Sequence, residues 1–153
     1  MIKKIILGTA NFGSSYGVIN KNYIDFNLAK KILSIASKNE IYYLDTAPDY
    51  KNSEIILGNI GVKKFKISTK LLPPSEYNYD FKKFFHNNIN ASLRRLNIEK
   101  LNILYFRRPI SLLEGDNNKL WNYAKKLKKE GLIKNLGITL YDPQELDLVF
   151  DDL

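Results

Sequence analysis

The sequence predicts an α/β fold built around a parallel sheet. Segments rich in Ile, Leu and Phe alternate five times with amphipathic segments of helical period along the 153 residues. Strands that alternate with helices pair in parallel through right-handed crossovers. Hydrophobic residues make up 44% and charged residues 26% of the chain, which is the composition of a globular domain rather than of a disordered chain. We therefore expect one domain over residues 1–153.

The first two strand–helix units have clear boundaries. A strand over residues 3–8 leads through a polar loop, 9–22, to a helix over 25–39 that Asp25 is expected to cap. The second unit has a strand over 41–45 and a short helix over 53–60. The buried face of the first helix is predicted from six aliphatic side chains at helical spacing, namely Leu28, Ala29, Ile32, Leu33, Ile35 and Ala36.

The other three units repeat this pattern. Glycine at 131 is the expected stop of the fourth helix, and the residues 142–145 (Asp-Pro-Gln-Glu) are typical of a helix start. A long helix before the fourth strand has an apolar face that includes Phe85 and Ile89. The predicted ranges are strand 66–69 (ending at Lys70), helix 79–96, strand 101–106, helix 117–130, strand 133–138 and a last helix from 142.

The number of units leaves two architectures open. Each unit takes about 30 residues, and eight such units would need about 250, the usual size of a (β/α)8 barrel. Five units therefore form either an open five-stranded sheet or about five-eighths of a barrel.

The composition excludes several kinds of function. The chain has no cysteine and one histidine, so disulfides, thiolate metal sites, cysteine nucleophiles and three-histidine zinc sites are excluded. Its apolar runs are too short for a membrane span or a signal peptide, and we expect a cytoplasmic protein without a membrane partner. The net charge is +8, but 20 lysines spread along the chain with only 4 arginines indicate a solvated surface, not a nucleic-acid interface.

The candidate chemistry lies at the C-terminal ends of the strands, where parallel α/β folds place their active groups. An acid, a phenol, an ammonium and a guanidinium are expected to converge on this rim. The residues are Thr9 after the first strand, Asp45 and Tyr50 at and after the second, Lys70 at the third, Arg107 at the fourth and Thr139 at the fifth.

Tyr50 is the candidate general acid. A free tyrosine has a pKa of about 10, and a neighbouring ammonium lowers the pKa of a phenol because it favours the phenolate. An aspartate beside the lysine would hold that ammonium charged and oriented, so the three groups would suit proton transfer to a carbonyl oxygen. On spacing alone, a structural ion pair between Asp45 and Lys70, with Tyr50 merely packed against it, remains an open alternative.

Several short segments together resemble the aldo-keto reductase family, over essentially the whole chain. The most specific is 45–54 (Asp-Thr-Ala-Pro-Asp-Tyr-Lys-Asn-Ser-Glu), followed by Leu57-Gly58. The early first strand and Tyr16-Gly17 look most like the branch connected with polysaccharide and spore-coat biosynthesis. The other matching segments are 7–13, 67–70, 92–96 and 136–139.

This resemblance implies a TIM-type (β/α)8 barrel that transfers a hydride from NADPH to an aldehyde or ketone, which in that branch would be a sugar. Tyr50 would be the general acid, Lys70 its partner and Asp45 the anchor of Lys70. The expected cofactor contacts are Gly8, Thr9, Asp45 and Thr139.

Two residues depart from the family pattern. Arg107 stands where the family has a histidine; it can donate hydrogen bonds to a carbonyl oxygen, but it is never a base at ordinary pH. Binding of a carboxylate or phosphate by Arg107-Arg108 and a plain ion pair remain open. Leu140 stands where the family has an asparagine, so only Thr139 can hold the nicotinamide carboxamide. The single histidine, His86, falls in a predicted helix, away from the rim.

The third departure is the extent of the barrel. The five predicted units leave strands six to eight of the family's barrel without a counterpart, and the resemblance implies that those strands supply most of the grip on the adenosine phosphate. An incomplete barrel is expected to expose strand edges and an apolar sheet face, and so to associate with itself or with a second chain. The alternative to a reductase is therefore a non-catalytic half-barrel or split-enzyme subunit. A third hypothesis is an isomerase of a phosphorylated sugar that uses Arg107-Arg108.

Overall fold

The chain folds as a parallel sheet of five strands, each followed by a helix. The computed structural model describes residues 5–14, 23–74, 79–114 and 117–149. The predicted Tyr16-Gly17 element and the first two residues of the predicted strand 3–8 lie outside these ranges. The elements are β1 (Ile6–Gly8), α1 (Phe26–Lys38), β2 (Tyr43–Asp45), α2 (Ser53–Ile60), β3 (Lys66–Leu71), α3 (Phe81–Leu96), β4 (Leu101–Arg107), a 3-10 helix (Pro109–Leu113), α4 (Asn117–Lys129), β5 (Ile133–Thr139) and α5 (Gln144–Val149).

The order of the strands in the sheet separates the two predicted architectures. The strands pair in sequence order, β1-β2-β3-β4-β5, and every pair is parallel. A doubly wound sheet reverses direction at a switch point, so its neighbouring strands do not all follow chain order. Consecutive strands with right-handed crossovers place all helices on one side, as in a (β/α)8 barrel. The sheet is thus the arrangement of a partial barrel, with β1 and β5 at its two edges.

The hydrophobic core lies between the sheet and its helices. Leu44 on β2 and Leu104 and Phe106 on β4 are fully buried, and Phe106 meets the Trp121 ring edge-on at 5.2 Å between ring centres. Burial of each such side chain contributes about 1.5–3 kcal/mol. From α3, the predicted residues Phe85, Ile89 and Leu96 are also completely or almost completely buried.

Residues at the helix ends confirm two sequence predictions. The carboxylate of Asp25 accepts a hydrogen bond from the backbone N–H of Leu28 at 2.8 Å and caps α1. Gly131, with φ of 82°, follows the end of α4 in the left-handed region that favours glycine. α3 begins at Phe81, two residues later than predicted, and the carboxylate of Asp80 caps it by accepting from the N–H of Lys83.

The prediction for the buried face of α1 is partly wrong. Ala29, Leu33 and Ala36 are buried, whereas Leu28 and Ile35 are 46% and 52% exposed. The helix is buried only along the narrow stripe of these three residues, so the flanking aliphatic side chains are exposed. The sequence also gave no indication of the 3-10 helix after β4, and it placed the ends of β3 and β4 too early, so that Lys70 and Arg107 lie within strands.

The face of the sheet that carries Asp45 and Lys70 is more polar than predicted. Strand side chains alternate with a period of two, so the paired residues Asp45 and Ser68 lie on one face, and Lys70 pairs with Tyr105 on the same face. Further along the same face lie Arg107 and its pair Thr139. The expected apolar sheet face is therefore wrong for this part of the sheet. No helix among the described residues is long and apolar enough to cross a membrane.

Candidate active site

Asp45 and Lys70 form the central ion pair of the rim. Lys70 Nζ lies 2.8 and 2.7 Å from the two carboxylate oxygens of Asp45 and donates a third hydrogen bond, of 2.9 Å, to the carbonyl of Thr46. These contacts use all three donors of the ammonium. The side chain of Lys70 is only 12% exposed and that of Asp45 is 29% exposed, so the pair is fixed and largely shielded from water.

Tyr50 lies against this pair. The Lys70 Nζ is 5.0 Å from the centre of the Tyr50 ring, and Tyr50 is half-buried. Two tight turns after β2 hold the residue: its N–H donates to the carbonyl of Ala47, and its own carbonyl accepts from the N–H of Ser53. Lys51, between them, has a φ of 47°, so the chain turns sharply into α2 directly after the phenol.

Three buried hydroxyl groups fix the start of α2 behind Tyr50. Ser53 Oγ donates to the carbonyl or the hydroxyl of Thr9, each at 2.9 Å, and lies 3.1 Å from Thr46 Oγ1. Thr9 Oγ1 in turn donates to the carbonyl of Asp45 at 2.9 Å. The predicted cofactor residue Thr9 is completely buried, and its side chain supports the backbone that carries Asp45.

A second buried cluster, for which the sequence predicted no role, surrounds Glu54. The Glu54 carboxylate is 1% exposed, accepts from Thr69 Oγ1 at 2.8 Å and forms an ion pair with Arg95, whose Nε and Nη2 lie 2.8 and 2.7 Å away. This cluster joins α2, β3 and α3. The contacts of Glu54 and those of the buried hydroxyl groups both hold the start of α2, and so they fix the turn that carries Tyr50.

Arg107 lies at the end of β4 and binds two loops of the same rim. One guanidinium nitrogen is ion-paired with Asp49, next to Tyr50, and the other donates to the Tyr141 hydroxyl at 2.8 Å. The hydrogen bond to Tyr141 raises the pKa of Arg107, burial opposes this, and the charge of Asp49 raises it further. Arg107 therefore stays positively charged throughout the neutral range. The structure shows Arg107 in an ion pair, and the binding of a carboxylate or phosphate by Arg107-Arg108 stays a prediction.

Thr139 and Gly8 bound the site on either side. Thr139 Oγ1 is buried and has no hydrogen-bond partner within the part of the chain that the structure describes. Buried polar atoms are nearly always paired, so this hydroxyl is suited to a polar ligand group such as a carboxamide. Leu140, 37% exposed, offers no hydrogen bond beside it. Gly8 pairs with Asp45, and a side chain there would have no atom within 4 Å, so it leaves space beside the ion pair.

A cleft of about 670 Å³ lies at the opposite, N-terminal ends of β3–β5. The ends of α3 and α4 point to that side, and the carbonyl groups of helix C-termini attract cations. The cleft is remote from the rim. Five lysines line it, namely Lys63, Lys66, Lys100, Lys128 and Lys134.

His86 is exposed on α3 and shares a hydrogen bond of 2.7 Å with the Tyr123 hydroxyl. It lies on a helix and not at the rim, as predicted. The described ranges contain no group of three His, Cys, Asp or Glu side chains placed to hold a metal ion.

The structure thus brings together Asp45, Lys70 and Tyr50, and it places Arg107 and Thr139 side by side further along the rim. The supporting residues without a predicted role were Thr46, Ser53, Glu54 and Arg95. All four fall inside the segments that carry the family resemblance, so their presence in these motifs was the available signal.

Comparisons with solved structures give the same fold. A protein from Pseudomonas aeruginosa described as an aldo-keto reductase is 26% identical to this chain, with a TM-score of 0.72. The match covers 90% of this chain and 56% of the Pseudomonas chain. An aldo-keto reductase from Klebsiella pneumoniae in complex with NADPH is 19% identical with a TM-score of 0.70, over 97% and 49%. The glycerol dehydrogenase of Gluconobacter oxydans is 24% identical with a TM-score of 0.65, over 97% and 48%.

The chain spans only about half of the length of these proteins. No curated protein matches it significantly. The model of the Aldo/keto reductase family matches residues 4–151. With five consecutive parallel strands and this match over nearly all of its length, the chain belongs to the aldo/keto reductase family.

Proposed function

We propose that this chain contributes the proton-transfer site of an NADP-dependent carbonyl reductase. The observation that carries the proposal is the Lys70 ammonium, held by both oxygens of Asp45 and lying 5.0 Å from the centre of the Tyr50 ring. A structural ion pair alone needs no phenol beside it. The turns after β2, fixed by buried hydroxyl groups, hold the phenol at this charge.

The reaction adds a hydride and a proton to an aldehyde or ketone to give an alcohol. NADPH, when bound, supplies the hydride to the carbonyl carbon. Tyr50 donates its hydroxyl proton to the carbonyl oxygen as negative charge develops there. Lys70 stabilises the phenolate that remains, and Asp45 keeps the ammonium in place.

Two features of the rim fit the cofactor. The buried hydroxyl of Thr139 without a partner suits the carboxamide of the nicotinamide, and the space left by Gly8 lies beside Asp45. Thr9 is completely buried and donates a hydrogen bond to the carbonyl of Asp45, so its proposed part in the cofactor site is to support Asp45.

The adenosine phosphate needs residues beyond this half of the barrel. We propose that further strands complete the site, from a second chain or a second copy, along the edges β1 and β5. Ile5 and Ile6 at the β1 edge are 52% and 50% exposed, which suits pairing with another strand. The second candidate function, a non-catalytic half-barrel that works through such association, is favoured by Leu140 at the nicotinamide position.

A calorimetric titration of the 153-residue chain with NADPH, with NADH as the comparison, tests the reductase. If a second copy of the chain completes the site, we expect micromolar binding of NADPH and weaker binding of NADH, followed by reduction of a carbonyl substrate. Absence of binding up to millimolar NADPH would rule out the chain alone as a reductase. The sedimentation of the same sample then shows whether the chain associates with itself, as the half-barrel function requires.

A further inference from the structure

Arg107 is bound by partners that it can exchange. Asp49 has a side chain 51% exposed, and Tyr141 is 72% exposed; both lie in loops, whereas Arg107 itself is anchored in β4 with a side chain 24% exposed. Ion pairs with an exposed partner contribute only about 0–1 kcal/mol. A ligand can therefore replace Asp49 at little cost while the guanidinium stays in position.

The chemistry of the guanidinium selects the ligand. Its planar fork of N–H donors matches a carboxylate with two parallel hydrogen bonds. The guanidinium is paired with the carboxylate of Asp49 in this structure. A ligand carboxylate has the same shape and charge as the group that it displaces, so it fits this position better than a doubly charged phosphate.

The position of Arg107 relative to Lys70, which lies against the Tyr50 ring, fixes where that carboxylate must lie. Lys70 pairs with Tyr105 on the neighbouring strand, and Arg107 is two residues further along β4. With strands about 4.8 Å apart and a rise of about 3.3 Å per residue, the Cα atoms of Lys70 and Arg107 are about 8 Å apart. One small molecule can thus place a carbonyl at Tyr50 and a carboxylate at Arg107.

We propose that Arg107 is a specificity residue that selects carbonyl compounds with a carboxylate within a few bonds of the carbonyl, such as 2-oxo acids. In the free protein the Arg107 guanidinium is ion-paired with Asp49 and donates a hydrogen bond to Tyr141. The ligand carboxylate takes the place of Asp49. The carbonyl part of this inference rests on the proposed reductase function, whereas carboxylate binding does not.

The test is a titration of the 153-residue chain with 2-oxobutyrate and with the neutral 2-butanone, followed by the NMR signals of the arginine Nε–H groups. We expect the Arg107 signal to shift with millimolar affinity for 2-oxobutyrate and to remain in place with 2-butanone. Arg107→Gln should weaken 2-oxobutyrate binding at least 10-fold. The matched control Arg108→Gln removes the same charge from the exposed neighbouring residue and should retain binding. Arg107→Lys, which keeps the charge without the fork, should bind weakly.

Two results would overturn the inference: no shift of the Arg107 signal in the unmodified chain, or an equal loss in Arg107→Gln and Arg108→Gln. Turnover with NADPH separates it from the proposed function. Carboxylate binding through Arg107 without reduction of either compound rejects the chain alone as a reductase and leaves the carboxylate site. Reduction of both compounds with equal kcat/KM, unchanged in ratio by Arg107→Gln, rejects the specificity and leaves the reductase.

Discussion

The ammonium of Lys70 lies 5.0 Å from the centre of the Tyr50 ring and is held there by both carboxylate oxygens of Asp45. The position of this charge relative to the phenol is therefore set by a third residue, on another strand. Since Asp45 and Lys70 are on adjacent strands, β2 and β3, the sheet itself fixes their separation.

The ion pair should show strong coupling in stability. Lys70→Met leaves a partly shielded carboxylate without its partner, and Asp45→Asn leaves the ammonium without a counter-charge, so each change should lower the free energy of unfolding by about 2–4 kcal/mol. The double variant should lose less than the two single losses together, with a coupling of about 1–3 kcal/mol. Urea denaturation of the four proteins measures this; additive losses would contradict a direct pair.

Tyr50→Phe should separate chemistry from structure. The change removes the hydroxyl and keeps the ring against Lys70, so folding and NADPH binding should be preserved while carbonyl reduction falls about 10²- to 10⁴-fold. Tyr42→Phe is the matched control, because Tyr42 packs against Phe65, on the other side of β2 from Asp45. The measurement is the steady-state rate of carbonyl reduction by each purified variant. A Tyr50→Phe protein as active as Tyr42→Phe would show that Tyr50 is only packed.

The sequence predicted the rim better than its support, for a physical reason. Residues at the C-terminal ends of parallel strands must converge, so Asp45, Lys70 and Arg107 could be placed from strand order alone. The Glu54–Arg95 contact joins residues 41 apart in sequence through the packing of two helices, and spacing along the chain carries no sign of it. The exposure of Ile35 likewise depends on how wide a face of α1 is buried, which the helical spacing of its aliphatic residues does not determine.

Glu54 should be among the most sensitive positions for stability. It is a 1% exposed carboxylate, and Glu54→Gln removes the charge that Arg95 needs while it retains the shape of the side chain. We expect a loss of about 2–4 kcal/mol in the free energy of unfolding. Glu99→Gln, at an exposed site, is the control and should change stability by less than about 0.5 kcal/mol. Equal midpoints in urea for the two variants would refute a structural role for the cluster.

Gly58 should tolerate no side chain, because α2 touches the end of α3 there. A Cβ atom at this position would lie 1.9 Å from the carbonyl oxygen of Arg95, and backbone atoms cannot move away without separation of the helices. Gly58→Ala should therefore destabilise by about 1–3 kcal/mol or more. Gly8→Ala is the control: its Cβ meets nothing within 4 Å, so thermal unfolding should show no loss of stability. A stable Gly58→Ala protein would mean that the two helices pack less closely.

Thr139→Val should move stability and cofactor affinity in opposite directions. The valine has nearly the shape of threonine and removes a buried hydroxyl that has no partner among the described residues, so unfolding should become harder by up to about 1 kcal/mol. If the hydroxyl binds the carboxamide of the nicotinamide, the same change should weaken NADPH binding about 5- to 10-fold, the worth of one hydrogen bond. Thermal unfolding with and without NADPH measures both effects on one sample. A variant that is less stable without cofactor would show that Thr139 serves the fold, whereas one with unchanged NADPH affinity would remove Thr139 from the cofactor site.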